Sequence, residues 1–397
     1  MREVVVVSAV RTAIGSIGGT LKDVQPEVLA KTVMEGAVSK IGLDKALIDE
    51  IIMGQTKQTT DAPNIARVAA LMAKIPEEVP AYTVHRQCAS GMQAILNGMQ
   101  QIQCGYSDIV LAGGVESMST APFYIRNARF GVGSGNTGFI DPNIESQPKS
   151  QPADVYGTFN MIQTADTVAE QFQVSRAEQD EFALASQHKA IAAIDSNKFA
   201  DEIVPVVLPQ RKGDPIIFAV DEYPKRSTNK EQLAKLKPIF PGGTVTAGNA
   251  SGRNDGASAL ILMSREKADE LGLKPLAKIL GAAAAGVDPR VMGIGPVPAT
   301  RKLLKNLAMD ITDFGLVEIN EAFAAQSVAC AKELQIDMNR LNVNGGAIAL
   351  GHPLGCSGAR ISATLIHEMK RRQEKFGLAT ICIAGGLGMA IAYENLQ

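Results

Sequence analysis

Four settings in this chain bring together residue types capable of group-transfer chemistry. Cys88 follows the apolar run Tyr82 to Val84 and precedes the helical pattern Met92, Ile95, Leu96, Met99 and Ile102, which puts its sulfur at a strand-to-helix turn. The free amides and dipole of a helix N-terminus stabilise a thiolate and lower a thiol pKa from its usual value of about 8.5. A nucleophilic sulfur is one reading; a small residue welcome in a tight turn is the other. His352 lies in Asn342-Val-Asn-Gly-Gly-Ala-Ile-Ala-Leu-Gly-His-Pro-Leu-Gly-Cys-Ser-Gly-Ala-Arg360, where Gly345, Gly346, Gly351 and Gly355 surround one imidazole. Glycines allow close backbone approach and Pro353 stiffens the next peptide, so the ring is presented rather than packed. Cys382 sits in the strand-like run Ile381 to Ala384 before Gly385-Gly386 and, taken alone, reads as a core cysteine. Asn320 follows Leu316 to Ile319 and reads either as a helix N-cap or as an amide that donates to a water or an oxyanion. His188 and His367 fall in charged amphipathic patterns, are read as solvated and receive no role.

The elements that must hold these side chains alternate between short β-rich runs and helical patterns from Val4 onward, an α/β rhythm. An internal echo is present. Cys88-Ala-Ser-Gly opens a helical stretch leading to Ile109-Val-Leu-Ala and Gly113-Gly114; Gly355-Cys-Ser-Gly358 opens another leading to Ile381-Cys-Ile-Ala and Gly385-Gly386. The shared order implies two similar halves with a crevice between them. Between them the segment 120–253 is rich in Gly and Pro at first, then offers Ser175-Arg-Ala-Glu178, a capping box that starts a helix running to about Asp195.

With 397 residues, 46% of them hydrophobic, the chain exceeds one ordinary core. A formal net charge of -2 gives no field to hold a polyanion, so nucleic acid is not an expected partner. Ser8 interrupts the Val4 to Val7 run before it can form a membrane span, and neither a membrane nor a leader is expected; the cytoplasm is the default. Five scattered cysteines without a Cys-x-x-Cys pair argue against a disulfide framework or a metal site.

Taken in order, Cys88-x-Ser-Gly, Gly248-Asn-Ala-Ser251-Gly, Asn320-Glu-Ala-Phe-Ala, Gly351-His352-Pro-x-Gly and the strand carrying Cys382 resemble the thiolase family over essentially the whole chain. The resemblance implies an α/β fold in which two similar βαβαβαββ halves form a five-layered α-β-α-β-α sandwich. One half would comprise residues 1–119 and 254–272, the other 273–397, with an inserted loop domain at 120–253 for coenzyme A binding and tetramerisation. It implies a homotetramer, built as a dimer of dimers, that condenses two acetyl-CoA or thiolyses a 3-ketoacyl-CoA, with CoA thioesters as substrates and no cofactor.

By the same resemblance, Cys88 would accept the acyl group, His352 would take its proton, and Cys382 would be the second acid/base. Asn320, through a water, and His352 would form one oxyanion hole, and the amides of Cys88 and Ala384 the other. CoA would contact Ser251, Ala247, Phe240, Met161, Met292 and Phe323, with Lys225 and Arg226 toward its phosphates. The chain departs from the family pattern at His85, Asn160-Met161-Ile162, Arg253 and Ala384. Other readings are a ketoacyl-synthase-like enzyme, a CoA or lipid binder without activity, and a cysteine hydrolase, which would have no use for Cys382.

Overall fold

The computed structural model describes residues 1–397. The first half runs β1 (Val4–Arg11), the short β2 (Gly15–Ser16), α1 (Pro26–Ile41), β3 (Glu50–Gly54), α2 (Ile65–Met72), β4 (Ala81–Val84), α3 (Ser90–Cys104) and β5 (Ile109–Ser117). Pro26 opens α1, where its missing N–H is no loss, and the left-handed Gly42 closes it. The chain then leaves the sheet for α4 (Pro142–Glu145), α5 (Ala153–Tyr156), α6 (Met161–Gln171), α7 (Arg176–Asp195), a separate hairpin of β6 (Val206–Leu208) with β7 (Ile216–Phe218), and α8 (Lys230–Lys235). Helix α7 starts in the capping box expected at Ser175 and Glu178, each side chain accepting from the other's backbone amide. β8 (Asn254–Ser264) and α9 (Arg265–Glu270) return the chain to the first half. There follow β9 (Ala277–Gly286), α10 (Pro296–Leu307), β10 (Leu316–Ile319), α11 (Ala324–Leu334), α12 (Ala347–Leu350), α13 (Leu354–Arg372), β11 (Phe376–Ile383) and β12 (Leu387–Asn395).

The strands are joined in the order β10-β11-β12-β9-β1-β8-β5-β3-β4. In the first half β4, β3 and β5 are parallel, while β5, β8 and β1 pair antiparallel. In the second, a bridge at Leu341 and β10 and β11 are parallel, while β11, β12 and β9 pair antiparallel. Order and sense of pairing match, so the sequence echo is a repeated topology. The halves meet through a short antiparallel contact of Val5 and Val6 with Lys278 and Ala277.

Three apolar cores separate the layers. Val33, Met34 and Ala66 of α1 and α2 pack on Val5, Ile51 and Leu111. Met92 and Ile95 of α3 with Ala359 and Ile361 of α13 lie between Val110 and Leu260 of one half and Ile381 and Met389 of the other. Leu303 and Val328 of α10 and α11 cover the far face on Val317, Leu378 and Ala390. The stacking is therefore α-β-α-β-α. Along β1, Val5 and Val7 enter the first core and Val4 and Val6 the second, which explains a run of valines with no polar alternation. No helix is long and apolar enough to cross a membrane.

The central layer is tight because its glycines let backbone meet backbone. A Cβ on Gly91 of α3 would lie 2.8 Å from the Gly355 carbonyl of α13, and one on Gly358 would lie 2.5 Å from the Met92 amide. One on Gly114 of β5 would lie 2.0 Å from the Gly355 oxygen. Two local expectations fail. His367 is buried on the inner side of α13 with Nε2 2.9 Å from the Ala9 carbonyl oxygen, so the charged neighbours that suggested a solvated ring belong to the helix's other face. Asn320 caps nothing: α11 starts four residues later, after an extended Phe323, and Asn320 is wholly buried.

Gly114→Ala forces the first helical turn of α13 off β5, and overpacking of this kind costs about 1–3 kcal/mol. A lowered urea midpoint with unchanged m-value is the expected result, and a wild-type midpoint would show that this contact is slack.

Candidate active site

Cys88 is set by a short, constrained turn. Gln87 adopts a left-handed φ of 45°, a cost tolerated only where surroundings fix it. Ser90 supplies the fixing: its hydroxyl accepts from the Arg86 amide at 2.8 Å and donates to the Gln87 carbonyl at 2.6 Å. The sulfur is left just ahead of α3, half-buried, with its own amide and that of Ala384 directed at it. Ala384 follows β11 in the other half.

His352 is held from three sides. Gly351 has φ 106° and a Cβ there would fall 2.4 Å from the Asn254 amide carbon, so only glycine lets the strand β8 approach this closely. Asn254 in turn accepts from the His352 amide at 2.9 Å and donates to the Gly15 carbonyl at 3.0 Å. The ring Nδ1 lies 2.6 Å from Ser357 Oγ, whose single proton is donated to the Pro353 carbonyl at 2.9 Å. Ser357 then accepts from Nδ1–H, the tautomer that makes Nε2 the basic nitrogen of the ring. The Asn320 amide nitrogen touches the ring at 3.5 Å from Nδ1 and 3.4 Å from Nε2, and its Oδ1 has no partner.

Cys382 is the penultimate residue of β11 and is buried in a small apolar cluster with Ala250, Met292, Ala322 and Phe323. Cys88, His352, Cys382 and Ala384 line one cavity of about 640 Å³, so the crevice between halves gathers residues 294 positions apart in sequence. A larger cavity of about 760 Å³ between α7 and α11 contains no cysteine or histidine.

Burial sets the resting protonation. Desolvation pushes the Cys88 thiol up, against the opposing pull of the two amides and of the Lys57 ammonium. This corrects the expectation of a lowered thiol: the helix N-terminus is present, but loss of water outweighs it. The Cys382 thiol is raised well above its ordinary value, again by burial. The His352 imidazole is pushed down to about 3 by burial and by the nearby Arg360 cation. At neutral pH the site thus holds two protonated thiols and a neutral ring.

Of the residues expected to meet CoA, Ser251, Ala247, Met161, Met292 and Phe323 line this cavity, as does Arg253. Phe240 does not; its neighbour Ile239 takes that place. Lys225 lines an adjoining cavity of about 220 Å³ that shares Tyr223 and Ala247 with the first. Arg226 lines neither, because its guanidinium is turned out to pair with Asp195 at 2.6 Å. His85 is exposed and outside the cavity. Sequence reasoning overlooked Ser357, Asn254 and Glu116. The Glu116 carboxylate accepts from the amides of Lys57 at 2.9 Å and Gly355 at 2.9 Å and so ties the two halves beneath the site. Ser357, five positions after His352 and one turn into a helix, was the one with a readable signal.

A protonated Cys88 predicts that alkylation by iodoacetamide accelerates by about tenfold per pH unit between about pH 7 and 9, as the thiolate fraction rises. Peptide mass spectrometry of Cys88 against time measures this. A rate already at its plateau at neutral pH contradicts it.

The chain is similar to known proteins along nearly its whole length. The thiolase N-terminal domain model matches residues 4–266 and the thiolase C-terminal domain model residues 273–395. An acetyl-CoA acetyltransferase of Pseudomonas aeruginosa is 49% identical over 392 residues, covering 98% of this chain and 99% of that protein. A β-ketoadipyl-CoA thiolase of the same organism is 47% identical, covering 100% of both. The crystal structure of the Bacillus anthracis acetyl-CoA acetyltransferase superposes with a TM-score of 0.96 at 47% identity, covering 100% of this chain and 99% of that one. Matched in both halves and nearly end to end, the chain belongs to the thiolase family of acyltransferases.

Proposed function

We propose that this enzyme cleaves and forms 3-ketoacyl-CoA thioesters through an acyl group carried on Cys88. The observation that carries the reading is the presence of two sulfurs and one oriented, neutral imidazole in a single cavity lined by both halves. Names of relatives support the thioester class, since they include an acetyl-CoA acetyltransferase and a β-ketoadipyl-CoA thiolase.

In cleavage, His352 Nε2 takes the Cys88 proton as the sulfur attacks the 3-keto carbon. The bond between carbons 2 and 3 breaks, its electron pair passes to carbon 2 as the acetyl-CoA enolate, and Cys382 S–H protonates that carbon. Acetyl-CoA leaves. A CoA thiol then gives its proton to the Cys382 thiolate and attacks the acyl-Cys88 carbonyl; Cys88 departs and recovers its proton from His352. Both thiols and the ring return to their starting states, and condensation is the reverse. A thiolate suits both halves of this cycle because it attacks and leaves well.

Two oxyanions must be stabilised. The amides of Cys88 and Ala384 suit the one formed on the group attached to Cys88, and His352 with a water held by Asn320 suits the enolate. Preorganised donors of this kind supply roughly 3–4 kcal/mol each. Ala384 leaves the amide in place while its methyl narrows the pocket. Every proton and electron pair is thus assigned to a side chain or a thioester, and we infer no resident cofactor or metal. CoA is assigned to the surface formed by Ser251, Ala247, Met161, Met292 and Phe323, with Lys225 beyond them for phosphate, in the loop domain 120–253 and its rim.

The same insertion supports assembly. Tyr124 and Ile140 exchange both backbone hydrogen bonds, forming a hairpin whose Phe123, Phe130 and Phe139 stand exposed. Three exposed phenylalanines on one hairpin ask for a cover, and we infer further copies of this chain, in a homotetramer. Light scattering should return four times the chain mass of 42.0 kDa; a monomer refutes it.

The mechanism separates two stages. Radiolabelled acetyl-CoA should label Cys88 in the wild type and in Cys382→Ser, whereas acetoacetyl-CoA cleavage by Cys382→Ser should fall by roughly 10²-fold or more, the usual share of a positioned acid/base. Cys88→Ala should take no label. Full cleavage activity in Cys382→Ser would remove the second sulfur from the mechanism.

A further inference from the structure

The acyl end of the cavity holds a charge that the reaction described above does not use. Lys57 lies in the loop after β3, is 6% exposed as a residue, and lines the cavity with Cys88. Its amide is fixed on Glu116 at 2.9 Å. Its Nζ donates to Ser146 Oγ at 2.6 Å and to the Pro142 carbonyl at 3.1 Å. An ammonium has three donors, so one is unspent.

No carboxylate neutralises this cation by contact. Glu116 and Asp141 act on it only through space, without a salt bridge, and the Glu116 oxygens are taken by the amides of Thr56, Lys57 and Gly355 and by the Thr56 hydroxyl. A buried charge without a counter-ion is costly, and structures retain one where a ligand supplies the partner. The Cys88 sulfur is close enough to feel the ammonium electrostatically. The insertion adds Asn143, Ser146, Gln147 and Ser150 to the lining of the same cavity, polar groups set among the apolar Met118, Met161 and Leu354.

We infer that Lys57 selects acyl chains that end in a carboxylate, making 3-ketoacyl-CoA thioesters of dicarboxylic acids the preferred substrates. The inference rests on the thiolase reading and names the substrate class for that site. A terminal carboxylate accepts the third Nζ–H and neutralises the ammonium. A terminal methyl strips water from the ammonium and gives nothing back, and sites built to pair a polar group reject analogues that lack it.

The test compares kcat/KM for CoA-dependent cleavage of 3-ketoadipyl-CoA and 3-ketohexanoyl-CoA, chains of equal length ending in carboxylate and methyl. The wild type should favour the carboxylate by about tenfold or more, the discrimination one such contact provides. In Lys57→Met that ratio should collapse toward one or invert, and Lys57→Arg, which keeps the charge, should restore it in large part. Lys57→Gln, read alongside thermal melts, guards against a folding defect in the methionine variant. A wild-type preference for the methyl-terminated chain overturns the inference. So does a Lys57→Met variant that loses both activities in equal proportion, which would assign Lys57 to the Cys88 thiolate instead. Failure of the wild type to cleave either substrate or acetoacetyl-CoA would overturn the thiolase reading itself.

Discussion

The architecture depends on the contact of two helical N-termini, backbone against backbone, at the middle of the molecule. Helix α3 brings Cys88 to that contact from one half, and α13 brings His352 from the other. Gly91, Gly114 and Gly358 set the separation, since a Cβ at any of them would collide with main-chain atoms across the seam. Main-chain atoms have few ways to relax. The relative position of thiol and imidazole is therefore decided by packing at the core of the fold rather than by the flexibility of loops, as accurate proton transfer requires.

The same burial that fixes position also fixes charge. With water excluded, neither a thiolate nor an imidazolium is favoured at rest, and the pull of the amides on the Cys88 sulfur does not reverse this. The site is poised so that charge appears only as bonds to the substrate form, at places where donors already point. Ser357 contributes by choosing the tautomer, and Glu116 by binding the loop after β3 to the first turn of α13. Lys57 spends two of its three ammonium protons on Ser146 and the Pro142 carbonyl, which leaves the third for a ligand in the cavity.

Much of this was legible in the chain, for identifiable reasons. The strand and helix rhythm, the capping box at Ser175 and the repeat of glycine-bounded units are local patterns, and local patterns survive folding. Cys88, His352 and Cys382 could be named because reactive residue types stood beside glycine-rich turns and in a recognisable order. Departures came where tertiary surroundings override the local pattern. The Cys88 thiol was expected to be lowered by its helix, yet burial by the opposite half, invisible in a single segment, raises it. Arg226 looked like a phosphate ligand until Asp195, a helix away in sequence, claimed it. His367 looked solvated because its neighbours Lys370, Arg371 and Arg372 are charged, but helical geometry turns the ring to the inner side. Lys57 carried no signal at all, since nothing local distinguishes it from a surface lysine.

The central claim is that the imidazole waits neutral, protonated at Nδ1, for a thiol that is itself protonated. With only four histidines in the chain, nitrogen-15 spectra of histidine-labelled enzyme can be assigned by substitution. The signal of His352 is predicted to show the neutral Nδ1–H form at neutral pH and to show no titration down to about pH 5, consistent with burial displacing it from the ordinary histidine range near 6.5. An imidazolium signal at neutral pH, or a titration centred near 6.5, would contradict the account.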